Sequence, residues 1–304
     1  ISGYENLIGK KLNGSLNVTG GVDKKGKEIN IDALIKAFDS EIALKAFLDD
    51  FNPKTLKVVS SSINLSSLLH FLDIQNIAKG GMVLDVDMDI SIPDKPSGGF
   101  KIVSHDIDLD EKLILDSYGI VIPKDKPLSL IVDGKSNDKK IITDIKVTSS
   151  FLLLVSKGFN FDTSDSGMDG IFDLSFSDIG FGEYIFSKKQ NITLGISGKP
   201  TEQSAFVKSD IFGSNTEITS KMVNFDPKTL NAEIKKLNIN EVIRFLKMDY
   251  TIDGDVNFNA DIKNIDMKNE SFVLDSKLNG DIKKIIIDGN TIATGVKLNG
   301  EAIG

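Results

Sequence analysis

The sequence predicts a mainly β protein: an elongated, curved antiparallel sheet, an open β-groove, built from internal repeats and carrying a few short capped α-helices. Three observations carry this expectation. Apolar and polar residues alternate with period two over many short segments, glycine-rich turns punctuate them, and one stretch of the chain occurs twice. The chain reads as one elongated β-rich repeat domain over 1–304, with related repeat units near 29–90 and 225–285. A seam near 145–150 would divide it into related halves, but a sheet running through the middle fits the pattern equally well.

The repeat organises everything else. Phe51-Asn-Pro-Lys-Thr-Leu56 returns as Phe225-Asp-Pro-Lys-Thr-Leu230, and Ile63 to Leu72 aligns with Leu237 to Leu246. Eight positions are identical over 51–72 and 225–246, where unrelated sequences of average composition would share about one or two. A partial third copy lies at Ile29 to Phe38. Each copy reads as a turn at Asn-Pro or Asp-Pro, a strand such as Leu56 to Ile63, and a short helix. Asp32, Ser66 or Asn240 would cap that helix by accepting from its first free amides. Leu65, Leu68, Leu69 and Leu72 fall at helical spacing, as do Ile239, Val242, Ile243 and Leu246. Helix is therefore expected over about residues 31–50, 65–78 and 239–247.

The strands that follow are the clearest local signal. Met82, Leu84, Val86, Met88 and Ile90 alternate with Val83, Asp85, Asp87 and Asp89. Val256, Phe258, Ala260 and Ile262 alternate with Asp255, Asn257, Asn259 and Asp261, and Phe172, Leu174 and Phe176 with Asp173, Ser175 and Ser177. Shorter alternations run from Leu12 to Val18, Ile192 to Ile196 and Phe272 to Leu278. Period two gives each strand one apolar and one wet face. Asp133-Gly134, Asp169-Gly170, Asp288-Gly289 and Asn299-Gly300 supply turn chemistry for antiparallel hairpins. Met82, Leu84, Val86, Met88, Ile90, Phe172, Leu174, Phe176, Val256, Phe258 and Ile262 are the residues expected to face the apolar interior and to line any lipid groove.

Composition excludes several functions. The 304 residues carry a net charge of −8, no tryptophan, and one arginine, Arg244. A nucleic-acid binder would show a basic face with stacking aromatics, and this chain has neither. Cysteine is absent, which removes disulfides, thiolate metal sites and cysteine nucleophiles. No apolar run approaches the roughly 18 residues of a membrane span. The first residue is Ile1 rather than Met, as expected of a processed or excised piece.

No catalytic residue, cofactor or metal site is expected. His70 and His105 have no second histidine at ligand spacing, no Gly-x-Ser-x-Gly elbow occurs, and Gly20-Gly21 opens no phosphate loop. The runs Asp85-x-Asp-x-Asp89 and Asp106-x-Asp-x-Asp110 place successive carboxylates about 6–7 Å apart along a strand, too far to share one calcium ion without a bend. The turn from Asp162 to Asp169 is a better calcium candidate, but it lacks the helix–loop–helix frame. A solvated strand face explains all three. Lysine pairs at 24–25, 139–140, 188–189, 235–236 and 283–284 sit near turns, where they protect edges or meet anionic lipid headgroups.

The unit of turn, strand, short helix of the type Ile/Leu-Asn-Ile/Leu-Asp/Ser/Asn-x-Leu-Leu/Ile, and amphipathic strand resembles the AsmA-like and TamB-like proteins of Gram-negative envelopes. Residues 29–38, 51–90 and 225–262 carry the resemblance. It implies a periplasmic protein, held in the inner membrane by an N-terminal helix, whose repeated β units form a hydrophobic groove carrying phospholipid acyl chains between inner and outer membranes. This sequence departs from that pattern by lacking the anchor and by being short, so a segment of a longer parent is expected. The alternative is a β-rich structural or adhesive envelope module whose apolar strand faces close on each other. No protein partner can be named from the sequence.

Overall fold

The computed structural model describes residues 17–92, 95–266, 268–269 and 271–304; the expected alternation before Asn17 lies outside them. Strand accounts for 71% of the structure and helix for 9%, against about 20–25% strand in an average globular domain. The pairing is antiparallel throughout, and the sheet is open rather than closed into a barrel. The chain forms two compact units, one reaching to Gly119 and resuming over Pro123–Ser150, the other comprising Ile120–Ile122 and Phe151–Gly304.

In the first unit, β1 (Asn17–Lys25), β2 (Glu28–Ala37), β3 (Ser40–Asp49) and β4 (Asn52–Ser60) pair in sequence order. β4 and the short β5 (Ile63–Asn64) both pair with β6 (Ala78–Asp89). β7 (Ser97–Leu109), β9 (Leu128–Asn137) and β10 (Lys140–Thr148) continue the meander. Helix α1 (Leu65–Phe71) links β5 to β6, and α2 (Glu111–Tyr118) follows β7.

The second unit repeats this plan. β11 (Leu152–Asp162), β12 (Gly167–Phe176), β15 (Gln190–Lys199), β16 (Glu202–Ser209), β17 (Asn215–Val223), β18 (Asp226–Asn238), β19 (Tyr250–Asp266), β20 (Ser271–Ile287) and β21 (Asn290–Ile303) pair each with the next. Helix α3 (Ile239–Phe245) links β18 to β19. A small sheet joins β13 (Ile179–Phe181) to β14 (Tyr184–Phe186) and to β8 (Ile120–Val121).

The repeat is structural. Asn64 Oδ1 accepts from the Ser67 amide at 3.0 Å, and Asn238 Oδ1 from the Glu241 amide at 3.1 Å. Both asparagines have extended backbones and end a strand while capping a helix. The expected caps Ser66 and Asn240 therefore lie inside the first turn, two residues late. Both helices also stop short of the expected ends, because Asp73 and Lys247 adopt left-handed φ values of 55° and 54° and break the hydrogen-bond ladder at equivalent positions.

Residues 31–50 are not helical. They belong to the β2–β3 hairpin, where Ile29, Ile31, Ala33 and Ile35 pair with Leu48, Ala46, Leu44 and Ile42. The same residues carry a period-two pattern, and the cross-strand partner decides between the two periods. Asp32 caps nothing; its carboxylate lies 3.5 Å from Lys45 Nζ. Conversely, α2 lies outside the three stretches where helix is expected, although its ends are legible: Asp110 Oδ1 accepts from the Leu113 amide at 2.9 Å, and Gly119 closes the helix with φ 68°.

The repeated turn is also displaced from the expected Asn-Pro and Asp-Pro. Pro53 and Pro227 lie in β4 and β18. The turns are Asp50-Phe51 (φ 50°, 64°) and Asn224-Phe225 (φ 51°, 66°), two-residue loops with both centres left-handed, as type I′ hairpins require. Phenylalanine is uncommon there, and Phe51 and Phe225 are 68% and 53% exposed. Left-handed backbone costs a residue with a Cβ roughly 1–2 kcal/mol, and the extra unfolded-state freedom of glycine offsets part of that. Phe225→Gly is expected to stabilise the protein by about 0.5–1 kcal/mol, read as a raised melting temperature. A lowered one would show that the ring's contacts outweigh the strain.

Candidate functional site

Antiparallel register carries each strand's apolar side onto one face of its unit. In the first unit one row runs Ala33, Leu44, Val58, Val86, Phe100 across β2, β3, β4, β6 and β7. Its neighbour includes Leu84, Ile102, Val132 and Ile145. In the second unit a row runs Leu154, Leu174, Ile192 over β11, β12 and β15, and further along the sheet Ile234, Phe258 and Leu278 pair in turn. Glycines in these rows are overlaid by rings: the Phe100 ring occupies the space a Cβ on Gly134 would need, and Phe159 does the same at Gly170. The apolar surface is thereby kept unbroken.

The degree of burial distinguishes this face from a sealed core. Met82, Leu84, Val86 and Met88 share one side of β6 and are all half-buried. Ile90 follows the end of β6, half-buried, its amide donating to the Lys54 carbonyl at 2.8 Å. Phe172 and Leu174 on β12 and Phe258 and Ile262 on β19 are likewise half-buried. Phe176 and Val256 are the exceptions, at 9% and 8% exposure. Near α1 and α3 burial becomes complete: Ile63 leads into α1, Ile243 lies on α3, and α3 packs against the strand that holds Val256 and Ala260. Elsewhere most residues of the rows are packed sideways by their neighbours and remain partly accessible, with Ile29 on β2, at 5% exposure, a buried exception.

The opposite faces are polar. Lys57 pairs with Asp87 at 3.2 Å, Lys36 with Glu41 at 3.2 Å, Lys208 with Glu217 at 3.2 Å and Lys277 with Glu301 at 3.2 Å. Asp89 accepts from the Ser91 amide at 2.9 Å, and hydrogen bonds from Ser91 hold its carboxyl below the usual carboxylate range. In the turn from Asp162 to Asp169, the Lys199 ammonium at 2.8 Å, followed by the Gly167 amide, lowers Asp165. Among the described residues no group of three or more His, Asp or Glu side chains is placed to hold a metal ion. His70 and His105 are both exposed.

These charges set an acid and an alkaline limit. Asp89, Asp165 and Asp266 are lowered from 3.8, Asp266 by Asn269 hydrogen bonds. Their stabilisation is complete above that value and is lost as pH falls through their lower folded values. Lys199, Lys263 and Lys277 are raised from 10.5 by Asp165, Asp261 and Glu301, so theirs is complete below 10.5 and lost as pH rises through the higher folded values. The melting temperature is expected to stay level between about pH 5 and 9 and to fall outside it. A decline already between pH 7 and 5 would contradict this assignment of the sensitive groups.

An aromatic cluster in the second unit has no local signature in the sequence. Phe186 stacks on Phe245 with centroids 4.4 Å apart, Phe212 meets Phe245 at 5.1 Å, Tyr184 meets Phe245 at 5.7 Å, and Phe176 meets Phe186 edge-on at 5.6 Å. Beside it lies a cavity of about 660 Å³, lined by residues of β14, the segment 187–190, the single 3₁₀ turn Ile211–Gly213, the end of β18 and α3. The only precursor in sequence is the repeat itself: Phe71, the counterpart of Phe245, meets a single ring, Phe38, at 5.0 Å.

No protein-family model matches the chain, and no curated protein or solved structure matches it.

Proposed function

We propose that this chain is a non-enzymatic lipid-transport segment that shelters phospholipid acyl chains along a hydrophobic β-groove, in the manner of the AsmA-like and TamB-like proteins it resembles. The half-buried apolar rows carry this reading. A sheet face meant as a closed core would have its leucines, methionines and phenylalanines covered, whereas Met82 to Met88, Phe172, Leu174 and Phe258 retain accessible surface. Burying each methylene is worth about 0.8 kcal/mol, so such a strip attracts an acyl chain. Neighbouring strands lie about 4.8 Å apart and offer like side chains, so a bound chain moves from strand to strand by exchanging similar contacts. Methionine adapts to a shifting ligand.

In this reading the protein works in the periplasm of a Gram-negative envelope, between inner and outer membranes, with an inner-membrane anchor in the full-length parent. No helix among the described residues is long and apolar enough to cross a membrane. The test is extraction of the purified protein followed by thin-layer chromatography and native mass spectrometry, with titration of a fluorescent acyl probe. Co-purified phospholipid and saturable probe binding are expected. Absence of both would replace this reading with a structural or adhesive module.

A further inference from the structure

The cavity in the second unit has an unusual wall for a chain of net charge −8. Lys188, Lys189, Lys236 and Arg244 line it, with Asp210, Glu241 and Asp255. Two of these acids are already engaged: Glu241 pairs with Lys188 at 2.8 Å, and Asp210 accepts from the Asn191 amide at 2.9 Å and from its side chain at 2.7 Å. Among the described residues Lys189, Lys236 and Arg244 have no carboxylate within ion-pair distance. Three cations thus face the cavity with two acids, Asp210 and Asp255, that have no ion-pair partner among the described residues, so the lining keeps an excess of one positive charge. Phe186, Phe212 and Phe245 form its apolar side, and Phe186 leads through Phe176 onto the apolar face of β12.

We propose that this cavity receives the phosphate of a phospholipid headgroup, the acyl chain leaving across the aromatic rings onto the sheet. The assignment rests on the lipid-binding reading and adds where the polar end is held. Arg244 is the only arginine in the chain, and a guanidinium is the side chain that forks two hydrogen bonds onto one phosphate. Lys236 stands where β18 bulges between Ile234 and Leu237. Its φ of 56° is left-handed, and its amide is fixed by Asn257 Oδ1 at 2.9 Å. A bulge of this kind re-aims a side chain out of the strand's alternation. The first copy of the repeat folds with Ser62 and His70 at the positions of Lys236 and Arg244, so the scaffold requires neither cation. A volume of about 660 Å³ suits a headgroup with the start of its chain.

The experiment compares four probes on the full chain, all below their critical micelle concentrations: a single-chain lysophosphatidic acid, the neutral monoacylglycerol of equal chain length, glycerol 3-phosphate and inorganic phosphate. The lysophosphatidic acid is expected to bind at least tenfold tighter than the monoacylglycerol and far tighter than either water-soluble phosphate. Arg244→Gln with Lys236→Gln should abolish that preference without changing monoacylglycerol affinity, and Arg244→Lys should recover part of it. Both positions are exposed, so an unchanged circular-dichroism melt is expected. Equal binding of the two amphiphiles, or an undiminished preference in the double variant, overturns the headgroup site and leaves the lipid-binding reading standing. Water-soluble phosphate binding as tightly as the lysophosphatidic acid overturns it in favour of a free-phosphate site. Failure of both amphiphiles to bind defeats the lipid-binding reading, and this assignment with it.

Discussion

Val86→Asp combined with Phe258→Asp is expected to strip co-purified lipid from the protein and to abolish acyl-probe binding, while the far-ultraviolet circular-dichroism spectrum stays that of a β protein. Val86 stands in mid-row between Val58 and Phe100, and Phe258 between Ile234 and Leu278. A carboxylate at either point must keep its water, and an acyl chain passing over it would have to remove that water at a cost of several kcal/mol. About four or five buried methylenes would be needed to offset this. The fold is affected less, because both side chains are only half-buried; about 1–3 kcal/mol for each change is expected. Asp87→Asn, on the polar face of the same strand, serves as the control. It breaks the exposed Lys57 pair, which is worth about 0–1 kcal/mol, and should leave bound lipid unchanged. A double variant that is folded and still carries lipid would count against an open apolar strip.

What the sequence reveals and what it hides follow from the range of the forces involved. Strand faces are legible because their period-two pattern is local: Met82 to Met88 and Phe172 to Phe176 lie as the alternation indicates. The repeat placed α1 and α3 because the same residues recur with the same capping chemistry. It misled at 31–50, where β3 supplies partners that outweigh a helical spacing. The turns were misplaced by a related conflict. Proline is a strong local turn signal, but the strand register puts the reversal two residues earlier, on Asp50-Phe51 and Asn224-Phe225, and phenylalanine has no local preference for a left-handed backbone. Burial is the least legible quantity. Phe176 and Phe258 share the same preceding alternation, yet one is buried beneath Phe186 and the other half-open. The rings that decide this come from positions 186, 212 and 245, brought together only by the tertiary fold.

Phe245→Ala is expected to destabilise the second unit by about 2–4 kcal/mol, more than Phe71→Ala does in the first. The two positions are the same point of the repeat, the last turn of a short capped helix, so helix propensity and cap are matched. The number of rings lost differs: among the described residues Phe245 meets Phe186, Phe212 and Tyr184, and Phe71 meets only Phe38. A paired ring adds roughly 0.5–1.5 kcal/mol beyond its buried area, and the two extra partners set the expected gap between the variants. Phe186 and Tyr184 both belong to β14, which pairs with β13 over a short stretch, while β13 pairs with β8 over a shorter one. A sheet of such short strands is marginal by itself, so its order depends on the cluster. Phe245→Ala should therefore expose residues 177–189 to limited proteolysis before the rest of the unit unfolds, and should weaken the phosphate preference of the cavity those residues help line. Equal destabilisation by the two alanine variants, without early cleavage at 177–189, would mean that the cluster does no more than seat its helix.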